Sequence, residues 1–284
     1  MQFMGYRRED GRVGVRNYVL ILPGCACASE TCRLVASEVR GTKNVIMNVG
    51  CSDVQANTDM NLRVLTGFAL NPNVFGVIVI GLGCETVGHR ELAAKIRAET
   101  SKPVVSFGIQ EIGGTVATTA AAVKAAREMV AQASEQQREP CDASDLFVAI
   151  ECGGSDATSG IASNPAVGNM SDRIVDLGGT TMMSETIEFV GAEHILAKRG
   201  ATPEIHDQII RICEDYEKHL AGVRQDCRTG QPTTGNKAGG LSTIEEKSLG
   251  CIHKGGTRPV VEVLQEAARP TKKGALIMDT PGYD

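Results

Sequence analysis

Ten cysteines run through a chain of 284 residues, and four of them share a setting. Cys25, Cys51, Cys84 and Cys152 each stand beside a glycine, just past a short apolar run. Polar residues accompany them: Asp53 near Cys51, Glu85 and His89 after Cys84, and Glu151, Ser155 and Asp156 around Cys152. Gln110 and Glu111 follow another apolar run, Glu185 a further one, and Asp279 ends the last. Thiolates, imidazole and carboxylates suit a borderline metal such as iron or zinc. A thiol at a helix amino terminus has a lowered pKa and can instead serve as a nucleophile. Against both stands the plain use of cysteine as a small apolar residue that fits a tight turn. No CxxC pair recurs at zinc-finger spacing, and Cys25-Ala26-Cys27 alone is weak evidence.

Two further segments carry candidate chemistry. ECGGSDATSG at 151–160 is a glycine-rich turn whose backbone N–H groups suit an anion, including a carboxylate. It is neither a GK[ST] phosphate loop nor GxGxxG, so a nucleotide is not indicated. EEKSLGCIHKGG at 245–256 sets Lys247 and Lys254 where they can hold a substrate carboxylate or act as base. His253 can be a ligand, a base or a surface histidine, while His194 reads as structural and His206 and His219 as solvated.

These residues need strands and helices to bring them together. Residues 18–23, 45–49, 75–81 and 104–107 are apolar and rich in Val and Ile, as buried parallel strands are. Helical patterns at 29–39, 59–69 and 89–100 lie between them, and an alanine-rich helix spans 113–137. Residues 145–150 read as a further strand. This alternation predicts βαβ units and a parallel sheet, with ligands at the carboxyl ends of the strands. The expected fold class is α/β: a Rossmann-like parallel-sheet domain over 1–140, then a second α/β domain over 141–284. The polar stretch 134–144 is the expected boundary. In the second half, helices are expected at 164–177 and 203–221 and strands at 180–184 and 275–279. Residues 225–240, rich in glycine and threonine, are expected to form a functional loop.

Hydrophobic residues make up 42% of the chain and charged residues 22%, with a net charge of −5. That supports a buried core and disfavours nucleic acid or an anionic membrane as partner. The sequence has no signal-peptide pattern and no apolar stretch near the roughly 20 residues of a membrane span, so the expected location is the cytoplasm.

Several ordered motifs carry a resemblance: GYRREDGRVGVRN at 5–17, GLGCE at 81–85, CGGSD at 152–156 and SNPAVG at 163–168. GGTTMMSET at 178–186, GAEH at 191–194, EKSLG at 246–250 and MDTPGYD at 278–284 extend it over essentially the whole chain. The sequence resembles the large segment of the altronate/galactarate dehydratase family, which also includes the large subunit of sulfolactate sulfo-lyase. The resemblance implies an iron-dependent hydro-lyase: β-elimination of water from a sugar acid such as altronate or galactarate, giving a 2-keto-3-deoxy acid. The alternatives are sulfite elimination from sulfolactate and a non-catalytic scaffold subunit. The implied catalytic residues are Glu85, Ser155, Asp156, Glu185, Lys247 and Lys254, with Gly153, Gly154 and Arg258 on the substrate. Fe(2+) is the implied cofactor, with Cys25, Cys51, Cys84 and Cys152 as its expected ligands. Relatives often carry a small amino-terminal module and continue past MDTPGYD, so a truncated carboxyl end, a small partner subunit and a homo-oligomer are expected. NVGC at 48–51 lacks the histidine associated with this turn in the sugar-acid dehydratases, which keeps sulfolactate or another small acid open.

Overall fold

The computed structural model describes residues 1–281, so Gly282, Tyr283 and Asp284 of the MDTPGYD motif lie outside the described residues. The chain forms two compact units, Gln2–Cys141 and a second that takes Met1 together with the chain from Asp142 onward.

In the first unit, β1 (Gln2–Arg7), β2 (Val13–Gly14) and β7 (Glu139–Asp142) make a small sheet in the order β2-β1-β7. The main sheet runs β4-β3-β5-β6, from β3 (Tyr18–Pro23), β4 (Thr42–Asn44), β5 (Val74–Gly81) and β6 (Val104–Gly108). All its pairings are parallel, with Leu20 opposite Val77 and Ile78 opposite Val105. β3 and β5 are apolar without alternation because both faces are covered, and the side-chain period of two divides them between two cores. Val19 and Ile21 pack with Cys32, Val35, Ala126 and Met129 of α1 (Ala26–Glu38) and α5 (Thr115–Glu135). Leu20 and Leu22 pack with Leu65, Ala69, Leu92 and Ile96 of α2 (Gln55–Leu70) and α3 (His89–Glu99). The short α4 (Ile109–Ile112) follows β6 directly.

Two expectations are corrected here. Residues 45–49 are not a strand; the pairing segment is Thr42–Asn44 just before them. Val45 and Met47 pack beneath α2 and α3 while Ile46 and Val49 are exposed, so the apolar run lines a connection. Residues 134–144 are not an irregular linker, since they finish α5 and supply β7.

The second unit holds a four-stranded parallel sheet in the order β10-β11-β9-β8, from β8 (Phe147–Ile150), β9 (Thr180–Met183), β10 (Val260–Leu264) and β11 (Ala275–Met278). β10 has no counterpart among the expected strands. α6 (Asn164–Asp176) follows a π-helical turn at Ser159–Ser163, and α7 (Glu193–Leu196) precedes α8 (Pro203–Gly222). α8 opens with Pro203 behind the Thr202 cap, whose side chain accepts from Ile205 N–H. Its buried stripe Ile205, Ile209, Ile212, Tyr216 and Leu220 packs with Met183, Phe189, Val190 and Ile277. The 225–240 segment holds two short helices, α9 (Cys227–Gly230) and α10 (Thr234–Ala238), before α11 (Ile244–Cys251). No helix among the described residues is long and apolar enough to cross a membrane.

Candidate functional site

At the main sheet of the first unit, the connections leaving β3 and β5 run to opposite faces, the arrangement that opens a ligand crevice in parallel sheets. Here that crevice is nearly closed. The space between Gly24, Gly50, Asp53, Thr86 and Leu92 is about 20 Å³, room for one water. Cys25 sits at the N-cap of α1 but is buried, and burial above all, with Glu85 and Cys27 adding to it, pushes its thiol up. The helix-terminal position therefore does not activate this thiol. Gly50 holds φ +128° against Cys25, where an added Cβ would lie 2.6 Å from the Cys25 Cα. Cys51 and Cys84 are exposed. The Glu85 carboxylate accepts from the N–H groups of Leu82 (3.1 Å), Gly83 (2.6 Å) and His89 (3.3 Å). Burial pushes its carboxyl up, but these backbone bonds outweigh that and hold it below the ordinary range. His89 in turn places Nε2 3.3 Å from Glu111. Among the described residues, no three ligand atoms of this edge lie within 4.8 Å of one another.

Cys152 does not share that edge. It follows β8, so the expected convergence of four thiols on one sheet is corrected: the chain begins a second parallel sheet before reaching the fourth thiol. Around Cys152 the second unit assembles a different group. The Cys152 N–H donates to Glu185 Oε2 at 2.6 Å, and its Sγ lies 3.4 Å from the Ser155 hydroxyl. Glu185 follows β9 with φ +70°, a left-handed conformation costly for a residue with a Cβ, and Thr280 Oγ accepts from its N–H at 2.5 Å. The turn Thr186–Glu188 then brings in Glu188.

α11 supplies Lys247 and Cys251 four residues apart on one helical face. Glu188 Oε1 meets Lys247 Nζ at 2.9 Å, while its Oε2 faces the Cys251 thiol at 2.5 Å. Gln231 Oε1 takes a second bond from Lys247 at 2.9 Å. Lys254, in the turn Ile252–Gly255, stands 3.9 Å from Glu185. That turn is seated against α6: Ser171 Oγ donates to the Lys254 carbonyl at 2.8 Å, and Gly168 leaves space that a Cβ would fill to within 2.1 Å of the His253 carbonyl. The side chains of Lys247, Glu188, Lys254 and Glu185 are only 9%, 4%, 8% and 12% exposed. Ions this buried are tolerated only when paired.

The charges set the protonation. Burial pulls Lys247 down, but Glu188 outweighs it and the ammonium ends above its ordinary range. Burial likewise pushes Glu188 up, and bonds from Cys251 and Lys247 bring it below the usual carboxylate range. The Cys251 thiol is pushed up, chiefly by its bond to Cys152, while that same bond pulls Cys152 down. The pair thus favours one thiolate, at Cys152. The sulfurs of Cys152 and Cys251 and a Glu188 oxygen lie within 4.8 Å of one another. Two sulfurs and one carboxylate oxygen suit iron or zinc.

Beside this group lies a cavity of about 190 Å³, lined by Ser155, Asp156, Asn164, Lys247 and Cys251 among others. Asn236 Nδ2 donates to the Ser155 carbonyl at 2.9 Å, which ties the 225–240 segment to the cavity wall. Of the expected residues, the structure brings together Cys152, Ser155, Glu185, Lys247 and Lys254, with Asp156 on the cavity lining. Asp156 spends its carboxylate on Thr158 and Ser159 of its own turn. Gly153 and Gly154 have open space around them. Arg258 is bound to Asp176 at 2.6 and 2.7 Å and lies 3.8 Å from Asp172, a surface pairing rather than a free cation. Glu188 and Cys251 were absent from the expected site. The Lys247–Cys251 spacing and the position of Glu188 one turn after Glu185 are the signals that point to them.

Residues 5–134 match the family described as D-galactarate dehydratase/Altronate hydrolase, second domain, and residues 143–284 match D-galactarate/Altronate dehydratase, C-terminal. The chain belongs to the galactarate/altronate dehydratase family. Over 280 residues it is 41% identical to the (2R)-sulfolactate sulfo-lyase subunit beta of Chromohalobacter salexigens, covering 98% of this chain and 71% of that protein. It is 34% identical over 292 residues to the altronate dehydratase of Bacillus subtilis and 35% over 301 residues to the galactarate dehydratase (L-threo-forming) of Escherichia coli. Those alignments take in 99% of this chain but only 58% and 57% of the dehydratases. Members of this family are thus lyases that include both dehydratases and a sulfo-lyase subunit.

Proposed function

We propose that this chain is the large part of a lyase that eliminates a β leaving group from a small 2-hydroxy carboxylate. The observation that carries this reading is the pair of buried lysines, Lys247 and Lys254, set among Glu188, Glu185 and two thiols beside a cavity of about 190 Å³. In such a reaction a base takes the C2 proton, the leaving group departs from C3 with its bonding electrons, and the enol formed takes a proton at C3 to become a 2-keto acid. Negative charge grows on the carboxylate as the C2 proton is lost. Fixed cations in a dry wall are the means of holding that charge, because they need no reorganisation when it appears. Lys247, kept protonated by Glu188, serves as that cation rather than as a base. Ser155 and Asn164 on the lining offer neutral hydrogen bonds to substrate hydroxyls.

Sulfite from (2R)-sulfolactate is placed first as leaving group, because the sulfo-lyase subunit is the more similar relative at 41% identity. Water from altronate or galactarate is placed second. The relative's designation as subunit beta supports a separate small partner for this chain as well. Ferrous iron is the cofactor of this reading, and when bound it would polarise the substrate carboxylate as a Lewis acid.

The test is 2-keto acid release from (2R)-sulfolactate, altronate and galactarate. The chain is assayed alone and with the small partner subunit of the sulfo-lyase, ferrous iron and a reductant. Release from sulfolactate, with kcat lowered about 10²–10³-fold in Lys247→Met, supports the reading. Full activity of Lys247→Met would remove its central residue, and release from none of the three acids would end it.

A further inference from the structure

We propose that Cys152, Glu188 and Cys251 form a binding site for one divalent thiophilic cation, iron(II) or zinc, at the edge of the 190 Å³ cavity. Three elements of the second unit converge to make it: the loop after β8, the turn after β9, and the end of α11. Their three donor atoms lie within 4.8 Å of one another, close enough to contract onto a single ion. Metal–sulfur distances of about 2.3 Å and metal–oxygen distances of about 2.0–2.2 Å need only a small inward movement. Three protein ligands with a cavity alongside is the pattern of a catalytic rather than a structural site, which closes its fourth position with another side chain.

Lys247 and Lys254 stand beside Glu188 and Glu185 in this buried place. The ligating carboxylate is also held from its far side. Glu188 gives Oε1 to Lys247 and keeps Oε2 for the thiol side, and Gln231 fixes Lys247 from behind. Such support at the far oxygen of a ligating carboxylate orients it toward the ion. Other thiols lack this setting. Cys32 and Cys213 are buried in apolar cores, and Cys51 and Cys84 are exposed without two further ligand atoms at hand among the described residues.

The site rests on the lyase reading only for the choice of iron over zinc, so it is tested by binding rather than by turnover. The intact chain, reduced and under argon, is titrated with cobalt(II), whose bonds to thiolates give intense near-ultraviolet charge-transfer absorption. The expected result is a band that saturates at one cobalt per chain, with protons released as it grows. Cys152→Ser and Cys251→Ser each abolish the band, Glu188→Gln weakens binding by about 10-fold or more, and Cys51→Ser with Cys84→Ser leaves it intact. Circular dichroism shows which variants fold. Where Cys251→Ser does not, the half-buried Cys152→Ser decides. No band in the parent chain, a band that survives Cys152→Ser, or one lost in the Cys51→Ser, Cys84→Ser pair would overturn the site. A normal band in a chain that turns over none of the three acids would refute the lyase reading and leave the metal site standing.

Discussion

Both units present a cysteine just past the end of a parallel strand, yet the two thiols live in opposite chemical circumstances. At Cys25 the nearby acid, Glu85, is occupied by three backbone N–H groups, and the space left is about 20 Å³. At Cys152 the acids Glu185 and Glu188 are met by the side chains Lys254 and Lys247, with about 190 Å³ alongside. A carboxylate bound by its own loop is part of the turn and has no capacity to spare. A carboxylate bound by a buried lysine leaves both groups able to exchange partners when a ligand or metal arrives. Strand-end placement is therefore shared by every βα turn, and what separates a site from a turn is who satisfies the acids.

The strongest break in that comparison is Glu188→Gln. It leaves Lys247 buried opposite a neutral amide, and losing one partner of a buried ion pair costs about 3–5 kcal/mol. Glu85→Gln removes a charged acceptor from a partly solvated turn and should cost only about 1–2 kcal/mol. Urea unfolding of both variants checks the ratio, and equal costs would erase the distinction. The pH dependence follows with its sign. Glu188 sits below its unfolded value near 4.3, so its stabilisation is complete above that pH and is lost as pH falls through the lower folded value. Lys247 sits above its unfolded value near 10.4, so its share is complete below that pH and is lost as pH rises through the higher folded value. With both chains also carrying Cys152→Ser, so that the low thiol does not titrate, the stability gap that Glu188→Gln opens should accordingly be flat from about pH 5 to 9. A gap that titrates near neutrality would show that the pair is not ionised as described.

Thiol reactivity sharpens the same contrast at smaller scale. Cys152 is held low and half-buried, whereas Cys25 is pushed up and buried. In metal-free chain at pH 7, iodoacetamide should label Cys152 at least about tenfold faster than Cys25, as read by peptide mapping. Equal rates would mean that the bond from Cys251 does not create a thiolate.

Much of the frame is legible in residue type alone. Tyr18–Pro23 and Val74–Gly81 are unbroken apolar runs because they are covered on both faces, and helix α8 shows its stripe and its Thr202–Pro203 start openly. Less legible are segments whose pairing needs a distant partner. Thr42–Asn44 is a polar edge strand, and Val260–Leu264 is interrupted by Glu262, which binds the Thr271 side chain and N–H instead of marking a surface face. At the site, Cys152, Glu185, Lys247 and Lys254 stand out by type and motif. Glu188 does not, because an acid in a run of apolar residues declares its role only once Lys247, fifty-nine positions later, is folded against it. Assigning Cys51 and Cys84 to the same metal as Cys152 rested on strand-end position alone, and these thiols follow strands of different sheets.

Arg258 gives the smallest expected effect and the most direct check on reading charge from sequence. A lone arginine after Gly255-Gly256-Thr257 looks available for a substrate carboxylate. In the fold its guanidinium binds both oxygens of Asp176, and its own N–H, with that of Thr257, goes to Asp172. Both side chains of the Arg258–Asp176 pair are substantially exposed, so solvent screens it and little stability depends on it. Arg258→Gln should leave KM for the preferred acid and the urea midpoint close to those of the parent chain, in contrast to Lys247→Met. The reason is one of supply. A cation already neutralised by Asp172 and Asp176 has no charge left for a substrate, whereas Lys247 lines the cavity and shares its one carboxylate with the Cys251 thiol. A large rise in KM in Arg258→Gln would return this arginine to the substrate and would require the Asp176 pair to open during turnover.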